Sequence, residues 1–131
     1  MSALYTYDSF TPGSVLGEWE EPLDARLLAL WERLFGQHAQ DAPARQAGLA
    51  VALMMRAYLN VVTPRPAGNI HARQALCVQG LPRSGERVRS TVRCLDKEIR
   101  GERRYLRLEV AGEGATGRPL YTGRMNLIWA A

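Results

Sequence analysis

Two periodicities divide the chain: apolar residues recur at helical spacing in the first half and alternate from Ile70 onward. Leu27, Leu28, Leu30, Trp31, Leu34 and Phe35 share one helical stripe, with Asp24 placed to cap its start and Gly36 to stop it, which predicts a short amphipathic helix. Glu32 and Arg33 lie off the stripe, as expected of a helix resting on a larger core. A polar interval from Gly36 to Gln46 leads into residues 47–62, AGLAVALMMRAYLNVV, apolar on nearly every face. A helix of that kind must be buried all round. Arg56 and Asn60, four apart, mark the edge expected to meet solvent or a partner, because an unpaired buried guanidinium is costly. Pro64 and Pro66 end the segment.

IHARQALCVQ, ERVRSTVRCLDKEI, RYLRLEVAG and PLYTGRMNLIW then read as four strands, separated by the turn sequences LPRSG, RGER and EGATGR. In the second of these Val88, Ser90, Val92 and Cys94 point one way and Arg87, Arg89, Thr91 and Arg93 the other; in the third, Leu106, Leu108 and Val110 oppose Tyr105, Arg107 and Glu109. One apolar and one polar face describe an antiparallel sheet covered on one side, and the apolar helix supplies the cover. On the last strand Tyr121, Met125 and Trp129 alternate, suiting either a subunit contact or the core. The predicted fold is α+β, a long central helix wrapped by a curved antiparallel sheet.

At 131 residues the chain suits one domain, residues 1–131, able to bury a core without metals or disulfides. Cys77 and Cys94 show no paired spacing, so the expectation is two reduced, buried thiols, no bound metal and no cofactor. The opening MSALYTYDSFTPG has neither a basic start nor an apolar run, and no stretch is long enough to span a bilayer, so a cytoplasmic protein with no membrane partner is expected. The net charge is +4 and Lys97 is the only lysine among the basic residues. Arginine suits bidentate phosphate contacts, including those of a nucleotide-bearing thioester. Nucleic-acid binding ranks last and is not expected, since Tyr105 is the only clear stacking group beside Arg87, Arg89, Arg93 and Arg107.

The wording of several segments resembles the MaoC-like family of (R)-specific enoyl-CoA hydratases and 3-hydroxyacyl dehydratases, which have the hotdog fold. TPGSVLGEW is similar to that family's opening turn and strand, LDARLLALWERLFG to its first helix, and AGLAVALMMRAYL to its central helix. GLPRSGERVRSTVRCLDKEIRG is similar to its proline, arginine, any residue, glycine, acid turn between strands, and NIHARQALCVQGLPRSGE is like the non-catalytic N-terminal half of double-hotdog members. The resemblance implies an acyl-CoA or acyl-carrier-protein thioester as ligand, fatty-acyl metabolism as setting, and a homodimer or a heteromer with another hotdog subunit.

In the family an aspartate after the first helix and a histidine in an asparagine-proline-x-histidine run supply acid and base, and a histidine-glycine pair opens the central helix. Here Gln37 stands where the aspartate would fall, the intervening run is missing, and Ala47 and Gly48 replace histidine and glycine. Glutamine cannot act as a base. His38 and Asp41, three apart, are the candidates for a displaced acid and base, while Gln37, Ala47, Gly48 and His71 are candidate substrate contacts. The favoured reading is an acyl-thioester binding protein with a degenerate hydratase site, or the silent partner of a catalytic subunit. The alternatives are an active hydratase or dehydratase, a lyase using His38 and Asp41, and a hotdog thioesterase. The last is disfavoured because residues 47–62 contain no Asp or Glu.

Overall fold

A computed structural model describes residues 3–23, 42–80, 82–83 and 85–130, with only the backbone course described for 42–47. The predicted first helix, residues 24–36, lies outside the described residues. Chain order is a short 3-10 turn (Tyr7–Ser9), β1 (Val15–Pro22), α1 (Ala42–Val61), β2 (Ile70–Val78), β3 (Arg87–Arg100), β4 (Arg103–Glu113), a second 3-10 turn (Ala115–Gly117) and β5 (Pro119–Trp129). The described strands form one antiparallel sheet in the order β1-β3-β4-β5-β2, and α1 packs against all five.

The helix starts at Ala42 instead of the expected Ala47, taking in Pro43, whose missing N–H costs nothing in a first turn where that group has no helical partner. It ends at Val61, ahead of the two prolines. There Arg65 Nη1 donates to the carbonyls of Leu59 at 3.0 Å and Val62 at 2.7 Å, placing a cation on the negative end of the helix.

Alternation assigned the sheet faces correctly. Val88, Ser90, Val92, Cys94, Leu106, Leu108 and Val110 are buried against the helix, along with Tyr121, Met125 and Trp129, which settles that last trio as core. Two glycines make the packing possible. Ser90, Gly112 and Tyr121 sit side by side on β3, β4 and β5, and a Cβ on Gly112 would overlap the Tyr121 ring. The ring therefore lies across the glycine, and its hydroxyl meets Ser90 Oγ at 2.6 Å on the next strand but one. On β5, Gly123 leaves room for Met54 Sδ from the helix.

Two further ties close the ends. Glu86, in the turn before β3, accepts from Arg83 N and Ala115 N at 2.8 Å each and from Arg118 Nη2 at 2.6 Å, so one buried carboxylate joins the β2–β3 and β4–β5 connections. The N-terminal segment crosses the far end: Phe10 meets Trp129 edge-on at 5.1 Å between ring centres, and Trp129 Nε1 donates to Tyr5 O at 2.8 Å.

Candidate functional site

The sequence candidates scatter in what can be described. Gln37, His38 and Asp41 lie outside the described residues, and Ala47 is placed only by its backbone, within α1. Gly48 sits in the early turns of α1, half-buried, immediately before Leu49 and Ala50, which enter the core. His71 opposes Leu127 at the start of β2, so it is on the helix side of the sheet, yet it is exposed because β2 is the last strand. Its imidazole makes no hydrogen bond to any described residue.

The helix side carries a polar centre that the sequence did not announce. Trp19 and Glu21 both face inward from β1, opposite Ser90 and Val88. Glu21 accepts from Trp19 Nε1 and, through both oxygens, from Arg56 Nε at 2.8 and 3.0 Å. Arg56 was expected to reach solvent or a partner; it does reach solvent at one end, while its Nε neutralises a carboxylate that is only 9% exposed. Asn60, one turn on, donates to the Arg56 carbonyl at 2.7 Å.

Nearby hydroxyl and thiol groups are held in their neutral forms. Burial pushes the Tyr121 phenol up to about 12, against the lowering effect of its Ser90 bond and with a smaller raising effect from the Glu21 charge. Burial likewise raises Tyr58 and Cys94. A raised thiol is a poor nucleophile, so Cys94 belongs to the core. Cys77 departs from the expectation of two buried thiols: it opposes Thr122 on the outer face of the edge strand and is exposed. Among the described residues, the helix side of the sheet thus presents one carboxylate, Glu21, already engaged, and one imidazole, His71.

Shape comparison identifies the architecture. A MaoC-like dehydratase from Rhodospirillum rubrum superposes with a TM-score of 0.74 at 14% identity, covering 97% of this chain and 98% of its own. The fold is the hotdog fold. The (R)-hydratase PhaJ1 of Pseudomonas aeruginosa also gives 0.74, at 18% identity over 95% of this chain and 84% of its own. The HadBC (3R)-hydroxyacyl-ACP dehydratase complex of Mycobacterium tuberculosis gives 0.68 at 10% identity over 89% and 96%. No family model matches the sequence, and no curated protein matches it significantly. Within this hotdog frame the turn read as proline, arginine, any residue, glycine, acid is the one closed by Glu86.

Proposed function

We propose that this chain is a MaoC-like acyl-thioester binding protein, a cytoplasmic single domain of residues 1–131 whose hydratase site is degenerate and which serves beside a catalytic hotdog subunit. The observation that carries the reading is the chemistry of the helix side. Hydration of an enoyl thioester needs a base for water and a donor within hydrogen-bond reach of the reacting carbons. Glu21, the carboxylate described there, is held by Arg56 and Trp19 against the core. Gly48 gives the early part of α1 a position without a side chain, which lets a ligand come close to the helix backbone there.

A CoA or carrier-protein thioester as ligand is supported by the fold shared with an (R)-hydratase and a hydroxyacyl-ACP dehydratase. The sheet supports a partner subunit. Among the described strands β2 is at the edge, and an edge is a template for pairing with another chain. The peptide of Gln79 donates to Leu120 O at 2.8 Å, so in the regular ladder that precedes it residues 75 and 77 bond β5, while Gln74, Leu76 and Val78 turn their backbone groups to the open side. A partner strand there would complete a ligand channel between subunits.

Hydration of a short trans-enoyl-CoA, followed at the enoyl absorbance, tests the reading. The purified chain should be inert while acyl-CoA raises its melting temperature. Turnover by the parent, abolished in folded His38→Ala and Asp41→Ala variants, would replace this reading with the displaced-dyad lyase.

A further inference from the structure

The sheet's outer face holds a groove of about 650 Å³, lined in part by Arg73, Asp96, Arg100, Tyr105, Arg107 and Asn126. That volume falls within the roughly 300 to 1,000 Å³ usual for small-molecule sites. The strand registers order its side chains into two rows. Asp96, Arg107, Asn126 and Arg73 stand opposite one another on β3, β4, β5 and β2; one step along are Glu98 and Tyr105, in register with Ile128 and Ile70 outside the lining. The first row is charged and rich in donors. The second is aromatic and apolar at its centre, and Ile70 is 54% exposed.

The acids of the groove are already engaged. Asp96 accepts from Arg107 through Nε and Nη2, and Glu98 pairs with Arg100 Nε at 2.9 Å. Among the described residues no carboxylate pairs with Arg73. The residual charge is therefore positive, on the side of the row where Asn126 offers an amide between two guanidinium groups. With strands about 4.8 Å apart, Arg107 and Arg73 are rooted about 10 Å from each other, which admits a phosphate between groups that can both reach it. Arg100 lies over the Tyr105 ring at 4.5 Å to the centroid, a flat cation on a flat ring. The outer side of that stacked pair, with the Arg100 side chain largely exposed, is a shelf on which a planar base can rest.

We infer that this outer groove binds a nucleoside phosphate, with the phosphate between Arg73 and Arg107 over Asn126 and the base on the Tyr105 row. The same chemistry is carried by a free nucleotide and by the nucleotide end of coenzyme A. The site stands on the opposite face of the sheet from Gly48 and does not depend on the thioester reading.

Calorimetric titration of the whole protein with adenosine 3′,5′-bisphosphate, coenzyme A and inorganic pyrophosphate tests it. The bisphosphate should bind, and Arg73→Gln and Asn126→Leu should each weaken it by roughly tenfold, the effect of losing a hydrogen bond to a charged group. Tyr105→Ala should weaken the bisphosphate and spare pyrophosphate. If Arg73→Gln weakens coenzyme A equally, the groove takes the nucleotide end of the coenzyme; if coenzyme A is unaffected, a free nucleotide is the ligand. No bisphosphate binding by the parent at millimolar concentration, or binding indifferent to both Arg73→Gln and Tyr105→Ala in variants with parental circular dichroism, overturns the inference. A parent that binds the bisphosphate but is not stabilised by acyl-CoA would instead remove the thioester reading alone.

Discussion

Gly112 is chosen for what its neighbour does. A methyl there would occupy the space of the Tyr121 ring, which has no other route across β4 to Ser90. Gly112→Ala should destabilise the protein by about 1–3 kcal/mol, the usual cost of overpacking, seen as a lower urea midpoint at unchanged slope. Glu86 makes a different kind of prediction. Its hydrogen bonds from the Arg83 and Ala115 peptides, with a smaller contribution from Arg118, lower its pKa from 4.5 to about 2. The unfolded chain therefore takes up the proton first, so this carboxylate's contribution is complete above about pH 4.5 and is lost as pH falls toward about 2. Melting temperatures measured across that window should fall less steeply in Glu86→Gln than in the parent, from a lower starting value at neutral pH.

The elements differ in how plainly the sequence declares them. β3, β4 and β5 were legible because one face of each is buried and the other is wet, so alternation survives along their length. β1 was not legible by the same signal. Its inward residues include Glu21, whose burial depends on Arg56 of α1, 35 positions away. Only the likeness of TPGSVLGEW to a family segment suggested a strand there. β2 was read as a strand, but sequence does not say that a strand will be last in its sheet; hence His71 is exposed where Leu127 and Leu106 in the same row are covered, while Cys77 is exposed because it points to the outer face. The candidate site was less legible still, since Gly48 and His71 are single residues without a local pattern. The β1–α1 tie is measurable. Arg56→Ala leaves a largely buried carboxylate with only the Trp19 donor, and with half of the Arg56 side chain in solvent the loss should be about 1–2 kcal/mol, below that of a fully buried pair. A double-mutant cycle with Glu21→Gln should return most of that loss as coupling energy.

At the scale of the molecule, the proposed association rests on β2, the last strand of the described sheet. Gln74 presents its N–H away from β5, so Gln74→Pro removes a donor that the fold does not use while blocking strand addition. The variant should keep the parent's far-ultraviolet circular dichroism, yet fail to co-elute with a hotdog partner, or with itself, in size-exclusion chromatography with light scattering. Among the described residues no helix is long and apolar enough to cross a membrane, and the strong charges lie outward, in pairs such as Arg89–Glu113 and Arg87–Glu20. Exposed pairs of that sort contribute little to stability, so raised salt should hardly change the melting temperature.

The tie between Tyr5 and Trp129 also sets an order of events in the cell. Its two ends are 124 positions apart, and the aromatic groups at Tyr5 and Phe10 that pack with it leave the ribosome long before β5 exists. At roughly 5–20 residues per second, the interval is about 6–25 seconds, during which these rings have no native surface to cover them. β2 waits as well, since its only partner strand in the described sheet is also the last one made. Until β5 is made, the Tyr5 and Phe10 rings and the β2 ladder all lack partners that the folded sheet supplies.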